Sequence, residues 1–292
     1  MIRKKRKKWD GIEITSVIVL TALVVLVLIP FWNTIVISFS TAASYARKPF
    51  SWFPEEFTLG NYRYLLTAGD QVVLAYKGTL IVTFWGVILR MLMCTMGAYG
   101  FSRSFPGKAF LFKLALFTMF FGGGLIPVYI QIKKMGLIDT YTVIILMSLV
   151  SVNNIIIMKN GFESVPMDLQ EAAKIDGAND IQIFAQVMLP LQKPLIATFS
   201  LFAMVEYWNA YYWPMIFLVS GKRNVLQLYL RNLINSAANI EGELYDIGSF
   251  TQTYSSGIKM SAVFVVMLPV MLVYPFLQKY FAKGMLVGAV KM

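Results

Sequence analysis

The chain has 292 residues, of which 58% are hydrophobic and 14% charged, where a soluble domain carries about 25% charged residues. No soluble core of this size hides so much apolar side chain, so the chain reads as an all-α integral membrane protein surrounded by membrane lipid. The net charge of +11 follows the positive-inside rule rather than a nucleic-acid partner, and the lack of histidine excludes an imidazole base or metal ligand.

Residues 3–8 are an unbroken basic run, followed by an apolar stretch from Ile12 to Phe39. That stretch is longer than a signal-peptide core of about 7–15 residues, so it is expected to stay as the first span. Six spans are predicted, at about 12–39, 74–101, 110–130, 141–158, 195–218 and 259–280. Each is close to the ~20 residues that a helix needs to cross ~30 Å of hydrocarbon. Residues 40–73 read as an aromatic-rich external loop and 219–258 as a polar one. The cytoplasmic segments then hold the larger share of basic residues. Residues 3–8 decide the orientation, with both termini in the cytoplasm. Cys94 lies in an apolar run and has no partner for an intrachain disulfide; it reads as a small packing residue. No linker divides the chain, which is expected to form a single transmembrane domain over 1–292.

One polar stretch, about 164–194, separates the fourth and fifth spans and carries Asp168, Glu171, Lys174, Asp176 and Asp180. It cannot sit in hydrocarbon. Pro166 suits a helix start, and Asp168 and Glu171 complement the positive end of that helix. Gly177 is a natural stop because it tolerates positive φ. Asn179 or Asp180 caps a second short helix, with Ile181, Phe184, Ala185 and Met188 on its apolar face. Pro190 and Pro194 are expected to end it.

Neither Gly107-Lys108 nor Gly221-Lys222 completes a phosphate loop, and no nucleophile elbow, zinc-helix motif or Cys-x-x-Cys occurs. No catalytic residues, no metal site and no cofactor are expected in this chain. Arg90 falls near the centre of the second span, where a charge costs ~2.5–3.5 kcal/mol on insertion scales. It needs a carboxylate, a carbonyl or a wet cavity, and is either a lining residue of a translocation path or a polar contact between helices. Glu206 is a single acid in the fifth span. With Tyr207, Trp208, Asn209, Tyr211, Tyr212 and Trp213 it forms an aromatic and amide cluster. Such a cluster stacks sugar rings and bonds their hydroxyls, or serves as an interfacial aromatic belt. Gly122-Gly-Gly-Leu-Ile-Pro127 allows close helix packing or an unwound turn.

Glu171-Ala-Ala173, Asp176-Gly-Ala178, Phe184, Leu189-Pro190 and Pro194 together resemble the signature loop of binding-protein-dependent ABC importer permeases. Asn61-Tyr62, Ala98-Tyr-Gly-Phe-Ser-Arg103, Trp208-Asn209, Trp213-Pro214, Lys283-Gly284 and Gly288-Ala-Val-Lys291 extend the likeness along the chain. The pattern is similar to the carbohydrate-uptake branch and its smaller maltose permease. Gly122 to Pro127 resembles an oligosaccharide branch that includes alginate importers. The resemblance implies a non-enzymatic permease of the bacterial inner membrane, with 164–194 as a cytoplasmic coupling loop. Asp168, Leu169, Glu171, Ala172, Ala173, Asp176, Gly177, Ala178 and Phe184 would dock on a separate ATPase. The implied partners are two ATP-binding cassette subunits carrying ATP and Mg, a second homologous permease completing a heterodimer, an extracytoplasmic solute-binding protein and a sugar. A slight basic excess in the external loops fits either an acidic sugar or an acidic binding protein. The competing class is a self-sufficient secondary carrier or channel.

Overall fold

The computed structural model describes residues 10–67, 71–243 and 255–289, with side chains at 10–66, 71–236 and 255–273. The basic run at 3–8 and the side chains of the tail motif from Lys283 onward lie outside the described residues, as do those of Asp70, Glu241, Glu243 and Asp246. Every regular element among the described residues is helical, with one isolated bridge pairing Ser40 with Phe57. The chain forms two compact units, 1–69 with 233–267, and 70–232 with 268–292.

In the first unit α1 (Gly11–Ser38) starts at a capping box. Asp10 accepts from the Gly11 amide at 2.9 Å, and Glu13 reaches back to the Asp10 amide at 3.3 Å. Its apolar side chains from Ile12 to Leu28 are exposed, as befits a helix solvated by lipid. The stretch predicted as a loop holds two short helices, α2 (Ala42–Arg47) and α3 (Gly60–Thr67). It folds back on the end of α1. Fully buried Asn61 donates to the Ser38 and Ser40 carbonyls at 3.0 and 3.2 Å. The Ser38 and Tyr62 hydroxyls meet at 2.7 Å, and Phe39 stacks on Phe57. Asn61-Tyr62 is thus the anchor of this segment.

The second unit is built on α4 (Gln71–Ser102). Its buried positions recur every three or four residues, through Val72, Ala75, Thr79, Val82, Gly86, Arg90, Cys94 and Ala98, which makes one continuous stripe. Leu80, Phe84, Trp85, Ile88, Leu92 and Met96 occupy the exposed face. The stripe is covered by α7 (Tyr141–Met147), α8 (Val152–Glu163) and α12 (Lys193–Trp208). One apolar cluster gathers Val82, Val143, Ile144, Tyr207 and Phe217. A second, further along α4, gathers Met91, Cys94, Ile155, Phe162, Ile183 and Met188. The pairing of α4 with α12 needs Gly86, because a Cβ there would sit 2.7 Å from the Tyr207 ring.

Three predicted spans are broken rather than continuous. The third consists of α5 (Lys108–Phe120) and α6 (Leu125–Lys134), bent by 111° at Gly122-Gly-Gly124. Nothing lies within 4 Å of a Cβ at these glycines and Gly124 has φ +80°, so they make an unwound turn and not a close helix contact. The fourth divides into α7 and α8 with a 57° bend. The fifth divides into α12 and α13 (Tyr212–Phe217). Among the described residues three helices are long and apolar enough to cross a membrane, namely α1, α4 and α15 over Ser255–Val273. The count rises to as many as six when three bent pairs are each taken as one span, namely α5 with α6, α7 with α8, and residues 180–191 with α12. The predicted polar loop 219–258 contains α14 (Leu226–Glu243), and α15 (Ser255–Ala289) outruns the predicted sixth span at both ends.

Candidate functional site: a solvent-facing loop and an aromatic cavity

The polar stretch forms the two-helix corner expected of it. In α9 (Met167–Ile175) Pro166 takes the N-cap and Asp168 the first turn. The C-terminus is a full Schellman motif. Gly177 has φ +86° and its amide donates to the Lys174 carbonyl at 3.0 Å, while the Ala178 amide donates to the Ala173 carbonyl at 2.9 Å. Asn179, not Asp180, caps the second helix, through a reciprocal capping box with Gln182 at 2.9 and 2.8 Å. That helix is α10 (Asp180–Gln182), a π-helical segment (Ile183–Met188) and α11 (Leu189–Leu191). Pro190 lies inside this last turn; the helix ends at Gln192, and an 81° bend leads into α12 with Pro194 in its first turn. The side chain of Gln192 donates to the Gly161 carbonyl at 2.8 Å and fixes the corner against α8.

The corner has two different faces. Leu169, Glu171, Ala172, Asp176 and Gly177 are exposed, as are Asp168, Met167, Ile175 and Ile181, the last two at 86% and 77%. Inward lie Ile183 and Met188, with Ala173, Ala178 and Phe184 half-buried against the second apolar cluster. Of the residues expected to dock, Ala173, Ala178 and Phe184 therefore lie off the exposed face. The Phe184 ring packs on Tyr99 at 4.9 Å and on Phe162 at 6.3 Å; three residues apart, Ile181 and Phe184 would share a face of a regular α-helix, and the π-helical segment that begins at Ile183 shifts the phase between them. Gln170, a polar residue with no motif to single it out, is the one buried residue of α9. It accepts a hydrogen bond from the Arg103 guanidinium.

At the other cluster, a cavity of about 660 Å³ is lined by Ser148, Glu206, Asn209, Tyr211, Tyr212 and Trp213, with Leu201, Phe202, Val205 and Ala210. Ser148 and Asn209 to Tyr211 are the residues at which the fourth and fifth spans break. This agrees with the rule that irregular backbone at membrane depth lines a cavity or lies inside protein. Trp213 packs edge-on to Tyr212 at 4.9 Å and stacks on Phe217 at 5.8 Å, which presents flat apolar faces beside amide and carboxylate groups. At the rim α14 contributes Gln227, which donates to Asn209 Oδ1 at 3.0 Å, and Arg231, whose guanidinium lies 5.8 Å from the Tyr211 ring centre. Neither α14 residue carried a motif that a reading of the sequence alone could have used.

Three residues expected along this path lie outside the lining. Arg90 is 6% exposed and donates to Glu206 Oε2 at 2.6 Å. The burial of Arg90 is thus met by a carboxylate, and Glu206, half-exposed, is the member that faces the cavity. Tyr207 and Trp208 are turned into the core at 3% and 6% exposure, and the Tyr207 hydroxyl donates to the Ile145 carbonyl at 3.0 Å. Successive residues of a helix are 100° apart in phase, so Glu206 and Asn209 share a face that Tyr207 and Trp208 do not.

Beyond the cavity, Asp139 ties the α6–α7 turn to the chain after α13. At φ 58° it is the non-glycine residue with positive φ among those described. Its carboxylate accepts from the Val219 and Ser220 amides at 2.7 and 2.9 Å, and Arg223 donates to its carbonyl. Those amide bonds, that of Ser220 first, hold the carboxyl below the usual range of an aspartate.

Known proteins share this architecture. Over 264 residues the chain is 39% identical to the polygalacturonan/rhamnogalacturonan transport system permease protein YtcP of Bacillus subtilis (strain 168), covering 90% of this chain and 92% of that one. It is 35% identical over 280 residues to protein LplC of the same organism, covering 96% and 94%. In three dimensions it resembles a chain of a bacterial ABC transporter involved in the import of the acidic polysaccharide alginate, with a TM-score of 0.85 and 28% identity, covering 94% of this chain and 100% of that one. The family model of the binding-protein-dependent transport system inner membrane component matches residues 4–287, and the chain belongs to that family.

Proposed function

We propose that this chain is the permease subunit of an ATP-driven oligosaccharide importer in a bacterial inner membrane. In this reading it crosses the membrane six times, with both termini in the cytoplasm, and forms half of a pore whose other half is a second, homologous permease. Two ATP-binding cassette subunits hold ATP and Mg, and an extracytoplasmic binding protein delivers the sugar. The observation that carries the reading is the division of the 167–191 corner into an inward, packed face and an outward face. The outward face sets Met167, Leu169, Ile175 and Ile181 beside Asp168, Glu171 and Asp176. Exposed apolar side chains next to acids, on a corner rigidified by a Schellman motif and a capping box, suit a protein partner rather than lipid. When the ATPase pair closes, displacement of this corner would switch the spans between inward-open and outward-open states.

The cavity supports a sugar as cargo. Trp213, Tyr211 and Tyr212 offer stacking faces, and Asn209 and Glu206 offer hydrogen-bonding groups. The polygalacturonan/rhamnogalacturonan and alginate systems of the relatives make acidic oligosaccharides the first class to test. A proton-coupled carrier is less well supported, because its candidate relay Glu206 is held in an ion pair with Arg90. The test is reconstitution of this chain with a second permease, the ATPase and the binding protein, followed by ATP hydrolysis across a panel of uronate and neutral oligosaccharides. Hydrolysis that rises only with a loaded binding protein is expected. Uptake driven by a proton gradient in the absence of the ATPase would overturn the reading.

A further inference from the structure

The corner and the cavity are joined in the chain by α12, through the π-helical segment and the 81° bend at Gln192. That route contains two interruptions of the α-helical hydrogen-bond ladder. A second route has none. α4 runs unbroken for 32 residues, with Arg103 directly after its last residue and Arg90, the partner of Glu206, thirteen residues earlier, about 20 Å along the axis.

At the corner end of α4, two side chains hold both arms of the loop. The Arg103 guanidinium donates to Gln170 Oε1 on α9 and to the Tyr99 hydroxyl, and it lies 4.6 Å over the Tyr99 ring. The Tyr99 hydroxyl is 3.5 Å from the Asp180 carbonyl on α10, and its ring packs on Phe184 at 4.9 Å and on Phe162 at 5.9 Å. Gln170 would not be buried among the exposed residues of α9 without this partner, since a buried amide needs its hydrogen bonds. Arginine is required by the geometry, because its planar fork serves two acceptors at once while its face stacks on an aromatic ring.

We infer that Tyr99 and Arg103 clamp the loop to α4, and that α4 conveys loop displacement to the Arg90–Glu206 pair at the cavity wall. Arg103 and Gln170 are positioning residues in this scheme; they touch neither the exposed face of the corner nor the cavity. The inference rests on the permease reading above and adds to it a specific mechanical route.

The test uses the assembled importer in lipid nanodiscs, with both permeases, the ATPase pair and the loaded binding protein. Arg103→Ala and Gln170→Ala are each expected to leave co-purification of the ATPase and basal hydrolysis unchanged. Each is expected to lower the stimulation by loaded binding protein about tenfold, equivalent to about 1.4 kcal/mol. The double variant should lose no more than Arg103→Ala alone, because the contact with Gln170 is already broken there. Arg103→Lys, which keeps the charge but not the fork, should recover only part of the loss. Losses that multiply to about a hundredfold in the double variant would overturn the clamp, as would full stimulation in Gln170→Ala. Loss of the ATPase from the Arg103→Ala complex would also overturn it, by placing the residue in docking. If the unaltered complex shows no stimulation at all, the permease reading itself fails before any variant is compared.

Discussion

Replacing Gly177 is the sharpest perturbation of the corner. Its φ of +86° lies where a Cβ meets the following carbonyl, at a cost of roughly 1–2 kcal/mol for an ordinary residue. No other atom lies within 4 Å of the Cβ position, so Gly177→Ala carries this conformational cost and no steric one. A penalty of that size lowers the ratio of bent to unbent corner by a factor of about 5–30. Asparagine tolerates the left-handed region better than alanine, and Gly177→Asn should fall between glycine and alanine. Gly177→Pro fixes φ near −65° and removes the amide that bonds the Lys174 carbonyl, and should abolish coupling. The assay is substrate-stimulated ATP hydrolysis by the reconstituted complex, with the amount of each variant in the membrane measured alongside. The expected order is Gly, Asn, Ala, Pro. Alanine equal to glycine, or better than asparagine, would refute the argument from backbone geometry.

Two further outcomes follow from the polar contacts of the second unit. In the Arg90–Glu206 pair the arginine is the buried member, so Glu206→Gln strands a charge where Arg90→Met does not. Breaking a buried pair costs about 3–5 kcal/mol, and the half-exposure of Glu206 places this site at or below the low end. Thermal unfolding in detergent should therefore show Glu206→Gln less stable than Arg90→Met, with the double variant recovering; additive losses would contradict the pairing. For Asp139 the folded pKa is depressed by the Ser220 and Val219 amides. Its stabilisation is accordingly complete above the unfolded value of about 3.9 and is lost as pH falls through the lower folded value. The stability advantage of the native chain over Asp139→Asn should be full at neutral pH and close on acidification below about pH 4. An advantage independent of pH would count against the amide contacts.

Much of the corner was legible in the sequence because its chemistry is local. A helix start at Pro166, a left-handed stop at Gly177 and a cap at Asn179 or Asp180 each declare themselves within a few residues, and the structure selects Asn179. What could not be read there was the phase of the side chains against the rest of the chain. Ile181 and Phe184 look equivalent as apolar residues on one short helix, yet one is exposed and the other lies on Tyr99. The same holds at the cavity, where Tyr207 and Trp208 belong to the core and their neighbours Glu206 and Asn209 to the lining. The serines at 148 and 151 and the polar, aromatic run from Glu206 to Tyr212 lower the hydropathy locally, but such residues also occur inside unbroken spans and do not mark a break. Only the Gly122 to Gly124 break was visible as composition. α14 was hidden in a polar loop because Gln227, Arg231, Asn232 and Asn235 interrupt its apolar residues, which never reach span length.

The central claim is that the outward face of the 167–191 corner meets an ATP-binding subunit. Site-specific photo-cross-linking from Ile175 and Ile181, the most exposed apolar positions of that face, tests it directly in the assembled complex. The account predicts cross-links from both positions to the ATPase, and none from Phe84, which is equally apolar and exposed on the outer face of α4. Cross-links from Phe84 alone, or none to the ATPase from either isoleucine, would contradict it.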